Sequence, residues 1–561
     1  MKRAGLALTG CVLALWLPAL SAGEPGATPI DAPRLSRPQA ASELPATSPF
    51  VLPPLDGSAP VLIPGSSALF DAVDFRGNTV YSADELEQIV TPYLRRQLGE
   101  ADLEDLRQKL TLHYIDHGYI NSGALIEPPG PDRPGLLRIR LVEGRLSQVR
   151  IHGLERLDED YVVSRLVPHP EAPFNMDEVR ARFQLLLADP LFTRISARLV
   201  PDSQPGLATL ELEVERARPY QLSIFVNNHR PPSIGSDGRG LNGSFRNVLG
   251  IGDLLTAGWQ ESTRGGDSGR RSFSWNVPVN RHGTSAYVQL DRGRSAVVEE
   301  PLARLDIRSF LDSRELGLGQ LLHESLKHRI AIGISYASRV STTSLLGAPF
   351  SFVAGVREGE IKALTAKSYQ EYAYRTEVQA LTLRSTFGRT SDNLEAAADP
   401  TQPAGRYGFW LGQAQYLRKL SDEGIQLITR ASTQATRARV LSLDAMAIGG
   451  VHTVRGYREN ELLRDQGQII NVELAMPFGR AGSAALPSLS IGPFYDWGRG
   501  QNIAQPPTIL SSTGIAARLE WQGLRLEIAV AHRLHRPPSV DSQTGTLQDK
   551  RIHLQLSYTP F

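Results

Sequence analysis

The sequence predicts a membrane β-barrel of about sixteen antiparallel strands, preceded by two small α+β units. Three observations carry this. From Tyr220 to the chain end, apolar residues recur at every second position in runs of about ten, broken by Gly, Asp, Asn, Ser and Pro. The chain opens on Met1-Lys2-Arg3, an apolar run and then Ser21-Ala22-Gly23, a leader typical of export. Between the two lie a pair of segments with one order of elements, strand, helix, helix, strand, strand.

Residues 1–22 read as a signal peptide cleaved near Ala22. The run is short for a membrane anchor, and Pro18 interrupts it. Leu8-Thr9-Gly10-Cys11 is similar to a lipoprotein box, but the apolar run continues past the cysteine. Cys11 is the only cysteine, so a mature chain without the leader forms no disulfide. No later stretch has the ~18 consecutive apolar residues of a membrane helix. A chain that crosses a membrane without one must do so as a closed barrel. Lys+Arg is 60 and Asp+Glu is 59, a balance that gives no reason to expect nucleic acid, which would want a basic face. Hydrophobic residues make up 41%, which a barrel tolerates because only alternate residues meet lipid.

Residues 23–66 are a Pro-rich segment, with Pro25, Pro29, Pro33, Pro38, Pro45 and Pro49 leading on to Pro64. Proline at that density favours extended chain and limits any helix within 34–44 to a turn or two.

Residues 68–144 form the first unit. Phe70 to Phe75 reads as a strand ended by Gly77-Asn78, and Ser82-Ala83-Asp84-Glu85 is a capping box. Leu86, Ile89, Val90 and Tyr93, then Leu103, Leu106, Leu110 and Tyr114, follow at helical spacing and belong to the core. Strands over Ala124 to Glu127 and Leu136 to Glu143 complete the unit. Residues 145–216 repeat the order at a period of about 75 residues. Val149 and Ile151 lie on its first strand, Glu159 to Leu166 form a helix, and Asn175 caps a second helix carrying Val179, Phe183, Leu186 and Leu187. Leu210, Leu212 and Val214 face one side of its last strand.

Residues 217–561 are the barrel. Ile330, Ile332, Ile334 and Tyr336 share a face, as do Ile515, Ala517, Leu519 and Trp521. Leu524 to Val530 alternates with Arg525 and Glu527, and Ile552 to Tyr558 with His553, Gln555 and Ser557. A soluble sandwich would look alike strand by strand. The leader, the missing cysteines and about 340 residues of β pattern favour the membrane. The polar segments 262–270 and 391–406 read as extracellular loops, and the Gly-rich segment 235–243 as a turn. Glu520 and Glu527 read as lumen residues.

Two stretches break the pattern. Gly449-Gly450-Val451-His452-Thr453-Val454-Arg455-Gly456-Tyr457 is not amphipathic and holds an arginine before Gly-Tyr. Gly492-Pro493-Phe494-Tyr495-Asp496-Trp497-Gly498 is strand-like with one carboxylate in its middle. By spacing alone Arg455 and Asp496 either meet in a wet lumen or never meet. Metal-ligand spacing, Gly-x-Ser-x-Gly and P-loops are absent from the sequence, so no enzyme and no cofactor is expected.

Together these features resemble the outer-membrane transporters of two-partner secretion, the haemolysin and filamentous-haemagglutinin secretion and activation proteins. The motifs are Val454-Arg455-Gly456-Tyr457, the Phe494-x-Asp496-x-Gly498 strand and Gly118-Tyr119-Ile120. The resemblance covers Phe70 to Phe561. It implies that the two repeats are periplasmic POTRA domains and that the barrel lies in the outer membrane of a Gram-negative cell. It implies that the loop bearing Arg455 folds back into the barrel and is received by Asp496, with Gly456 turning the backbone and Tyr457 packing on the wall. Its partners would be a large secreted β-helical exoprotein (adhesin, haemolysin or contact-dependent toxin), outer-membrane lipid and the barrel-assembly machinery. Translocation would use no ATP. A barrel insertase of the same superfamily and a passive porin are the other readings. Two departures stand out. The Pro-rich segment leaves little room for a plug helix, and Thr559-Pro560 sets the terminal Phe561 out of phase with the outward face ending at Tyr558.

Overall fold

The computed structural model describes residues 50–51 and 68–560, apart from residues 129–132, 134, 205, 264–266, 301, 353–355, 357, 395–402, 404, 479–486 and 536–544. The expected signal peptide, nearly all of the Pro-rich segment, and Phe561 lie outside the described residues. The described residues fall into two compact units that divide between Ala217 and Arg218.

The first unit holds two α+β layers. The first is β1 (Ala72–Arg76), α1 (Ala83–Val90), α2 (Glu100–Asp116), β2 (Gly123–Glu127) and β3 (Leu136–Val142). Helix α1 starts where Ser82 and Glu85 exchange bonds, Glu85 N–H to the Ser82 hydroxyl at 3.3 Å and Ser82 N–H to the Glu85 carboxylate at 2.9 Å. These satisfy donors that a helix start otherwise leaves open. Leu86, Val90, Leu103, Leu106, Leu110 and Tyr114 pack over Leu137, Ile139 and Leu141. The sheet order is β1-β3-β2.

The second layer is β4 (Arg145–His152), α3 (Glu159–Leu166), α4 (Met176–Leu187), β5 (Phe192–Pro201) and β6 (Leu207–Arg216). Val179, Phe183 and Leu186 of α4 cover Leu210, Leu212 and Val214 of β6. Strand β4 lies at one edge of this sheet, and Phe50–Val51 pairs parallel with β5 at the other. Asn175 caps α4 by accepting from Asp177 N–H at 3.0 Å and Glu178 N–H at 3.2 Å. Its side-chain amide also donates to the His117 carbonyl of the first layer at 3.0 Å.

The second unit is a closed barrel of sixteen antiparallel strands. They are β7 (Tyr220–Asn227), β8 (Gly238–Arg246), β9 (Leu254–Ser262), β10 (Gly269–Pro278), β11 (Thr284–Ala296), β12 (Arg308–Glu324), β13 (His328–Leu345) and β14 (Glu360–Arg375). The rest are β15 (Gln379–Asp392), β16 (Arg406–Lys419), β17 (Gln426–Thr436), β18 (Gln466–Phe478), β19 (Ser488–Gln501), β20 (Thr508–Trp521), β21 (Leu524–Arg533) and β22 (Ile552–Tyr558). Each pairs with its sequence neighbour, and β22 closes on β7 over Ile224 to Asn227. Ala348–Pro349 only extends the β13 hairpin. Among the described residues no helix is long and apolar enough to cross a membrane.

Alternation sorts the wall. On β13, Ile330, Ile332, Ile334 and Tyr336 point outward and are exposed, whereas Ala331, Ser335, Ala337 and Arg339 are buried inside. Such an outer band meets lipid without leaving backbone groups unpaired, because closure removes the sheet edges. One expected turn is corrected. Gly238 to Gly243 lies on β8, and only 235–237 connects. A Cβ at Gly238 would stand 3.0 Å from Arg230 Cδ, so glycine there makes room for a neighbour and marks no turn. The connections expected over 262–270 and 391–406 are shorter, because both ends continue their strands.

Candidate functional site

The chain between β17 and β18, residues 437–465, turns back against the inside of the barrel wall. Its legs pair as a hairpin, Met446–Ile448 with Leu462–Arg464. The Thr453 hydroxyl accepts from Gly449 N–H at 2.9 Å, and the Glu459 carboxylate accepts from Val451 N–H at 2.6 Å. The loop therefore closes its own backbone bonds before it meets the wall.

Arg455 stands at the far turn. Its Nε and Nη2 donate to the two oxygens of Asp496 at 2.8 and 2.9 Å, and its backbone N–H donates to the same carboxylate at 3.0 Å. Its Nη1 donates to Glu473 on β18 at 2.7 Å. The Phe494 ring lies 3.5 Å from the guanidinium carbon. Asp496 is fully buried and Arg455 and Glu473 nearly so. A buried charge is tolerated only when paired and hydrogen-bonded, and the planar fork of arginine matches a carboxylate at two points. Glu473 is shared with Arg518 of β20, so positive and negative groups alternate along the wall.

Strand alternation explains why the three β19 motif residues share one face. Phe494, Asp496 and Gly498 are two apart and face inward, while Tyr495 between them is 45% exposed on the outside. Gly498 leaves space for the loop. A Cβ there would stand 2.6 Å from Ile448 Cγ2 and 2.8 Å from Val454 Cγ2. Val454 is fully buried with Ile448, Leu462, Ile469 and Leu510.

Gly456 follows with φ 86°, a left-handed value that glycine takes without strain. Its N–H donates to His553 Nε2 at 3.0 Å, and its carbonyl accepts from Arg533 at 2.5 Å. Tyr457 is fully buried, with its hydroxyl 2.6 Å from the His535 carbonyl and 2.9 Å from that of Ser511. Arg458 donates to Asp549 at 2.7 Å and Glu299 at 2.8 Å. The turn is thus held by β18, β19, β20, β21 and β22.

The family resemblance, and not spacing, implied that Arg455 meets Asp496, and neither singled out Glu473 or His553. Both sit on the polar faces of their strands, where nothing local separates them from other lumen residues. Tyr558 is 46% exposed on the outer face of β22, away from the loop. Glu520 and Glu527 face inward and lie 2.8 and 3.7 Å from Arg525 Nε. Among the described residues no group of His, Cys, Asp or Glu is placed to hold a metal.

A sixteen-strand barrel with two β-α-α-β-β layers ahead of it and a loop bonded to its inner wall defines a POTRA-bearing membrane barrel. Residues 69–144 match the ShlB-type POTRA domain. The chain belongs to the haemolysin secretion/activation protein family ShlB/FhaC/HecB, whose profile matches residues 206–520. This is a family of two-partner secretion outer-membrane transporters that export secreted exoproteins.

The outer membrane transporter CdiB of Escherichia coli is 23% identical over 71% of this chain and 67% of that protein. The heme/hemopexin transporter protein HuxB of Haemophilus influenzae is 21% identical over 81% of this chain and 80% of that one. The solved structure of CdiB from Escherichia coli superposes with a TM-score of 0.68 at 16% identity, covering 90% of this chain and 93% of that one. BamA from Haemophilus ducreyi lacking POTRA domains 1–3 gives a TM-score of 0.51 at 11% identity, covering 88% of this chain and all of the other. These likenesses between structures speak to fold alone.

Proposed function

We propose that this protein is an outer-membrane pore for one large partner exoprotein. The partner docks on the two POTRA-type layers in the periplasm, passes through the barrel unfolded, and folds at the cell surface without ATP. The observation that carries this reading is the Arg455 fork on Asp496 and Glu473, which seats the turn deep against the wall. A loop held by directional charged contacts can be retained while a polypeptide passes, or released as a unit. Edge strands β2 and β4 offer backbone groups to which an unfolded partner can add a strand. Expected clients are β-helical adhesins, haemolysins or contact-dependent toxins, and the barrel reaches the membrane through the assembly machinery.

The test is secretion of the genetically linked exoprotein in cells with this protein, without it, and with Arg455→Ala. Retention in the periplasm in the last two supports the reading. Normal secretion without the protein, with other outer-membrane barrels failing to assemble, would replace it by the insertase reading.

A further inference from the structure

The same loop makes a second charged contact with the opposite polarity. At its tip the loop brings a cation to carboxylates on the wall. Near its root, at the single turn Ser442–Asp444, it brings a carboxylate to a cation. Asp444 is 1% exposed, and its Oδ1 lies 2.8 Å from Nη1 of Arg339 on β13. Oδ2 accepts from Arg339 Nη2 at 3.1 Å, Thr390 of β15 at 2.8 Å and Tyr407 of β16 at 2.5 Å. Arg339 is itself held by the Thr365 hydroxyl of β14 at 2.5 Å.

Apolar side chains also close on the turn. Leu441, Leu443 and Ala445 pack with Ile361, Ala363 and Phe409 around this pair. The amide of Gln434 ties both legs together, donating to the Asp444 carbonyl at 2.8 Å and the Asp465 carbonyl at 3.1 Å. A carboxylate in such a place is stable only while its partner is in reach, so the root of the loop is favoured in one position.

We propose that Arg339 and Asp444 are a positioning pair that fixes the root of the loop independently of Arg455, resting on the reading of this loop as part of the transport path. The two anchors use different walls, β13 to β16 for the root and β18 to β22 for the tip. Because their polarities are opposite, a reversed seating would place the Asp444 carboxylate before Asp496 and Arg455 before Arg339. Like charges at both ends oppose that arrangement, so the pair selects orientation as well as place. Asp444 and Arg339 act through the loop and touch no substrate.

The experiment uses the full chain in the outer membrane, in a Cys11→Ser background, with spin labels at Ser442→Cys on the loop and Lys362→Cys on the wall. Asp444→Asn leaves Arg339 unpaired. The double variant Arg339→Gln with Asp444→Asn leaves no buried charge at this pair of positions. For the double variant, we expect a folded barrel by unheated gel mobility, a label-to-label distance distribution broadened about twofold or more, and secretion lowered about tenfold. A narrow distribution overturns the proposal, and so does a broad one with parental secretion. A double variant that forms no barrel also overturns it, because the pair would then serve closure of the wall. If the parent itself secretes nothing, the transport reading fails, while the distance distribution still decides whether the root is anchored.

Discussion

Gly498 faces Val454 across the inner wall, and the missing side chain of the first is what admits the second. A Cβ at Gly498 would stand 2.8 Å from Val454 Cγ2, closer than packed atoms tolerate. The glycine of the Phe-x-Asp-x-Gly strand and the valine of the Val-Arg-Gly-Tyr turn therefore belong to one fitted contact. Substitution by a larger residue, Gly498→Val, is expected to lift the loop off β19 and sharply reduce export. The check is exoprotein in the medium against barrel abundance in the membrane. Parental export by this variant would remove the contact from the mechanism.

Arg455→Lys keeps the charge and loses the fork. The lysine ammonium has no planar fork to present two parallel N–H donors to the Asp496 oxygens. Export is expected to fall nearly as far as in Arg455→Ala, with the folded barrel still present by heat-modified gel mobility. Breaking a buried pair typically costs about 3–5 kcal/mol, which the remaining loop contacts must offset. Full export by the lysine variant would reduce the site to simple charge attraction.

His553→Ala leaves Gly456 N–H, now bonded at 3.0 Å, without its acceptor. An orphaned buried donor costs about 1–3 kcal/mol. The loop tip is expected to loosen, seen as noisier single-channel current in planar bilayers, while Arg455 still holds. Unchanged current traces would show that the histidine is dispensable.

Asn175→Ala removes the cap of α4 and the bond from Asn175 to the His117 carbonyl. Loss of such a cap costs about 1–2 kcal/mol. Because Asn175 also joins the two layers, thermal melting of a 68–216 fragment is expected to split toward two transitions. A single transition at the parental temperature would argue against coupling through this residue. In the full chain, deletion of 68–216 is expected to stop export and leave the pore.

Burial, and after it the Glu143 carboxylate, pushes the Tyr114 phenol far above its ordinary range. The folded state therefore keeps a proton that the unfolded chain releases above about pH 10. This contribution is present below pH 10 and is lost as the pH rises further. Tyr114→Phe is expected to flatten the alkaline loss of stability of the 68–216 fragment, read by denaturant titration between neutral pH and pH 11. An equally steep loss in the variant would assign it to other groups.

Much of the architecture is legible locally. The capping box at Ser82, the Asn175 cap and the i, i+3, i+4 spacing of Leu103, Leu106 and Leu110 are short-range signals, and each appears as written. Period-two alternation on β13 likewise sorts lipid from lumen without reference to any other strand. Gly238 to Gly243 misled for the opposite reason. Glycines that clear space for neighbours across a sheet look like turn glycines until those neighbours are known.

What the sequence alone determined is therefore the kind of element at each place and the two stretches that break the pattern. A short stretch that is not amphipathic and holds one arginine, and a strand-like run with one carboxylate in its middle, are visible because each departs from its own neighbourhood. Only the tertiary structure decided which charges meet. Asp444 finds Arg339 across 105 residues, and Glu473 and His553 join Arg455 and Gly456, because closure of the barrel sets the relative height of every strand. That stagger is a property of all sixteen strands together. No local run of residues encodes it.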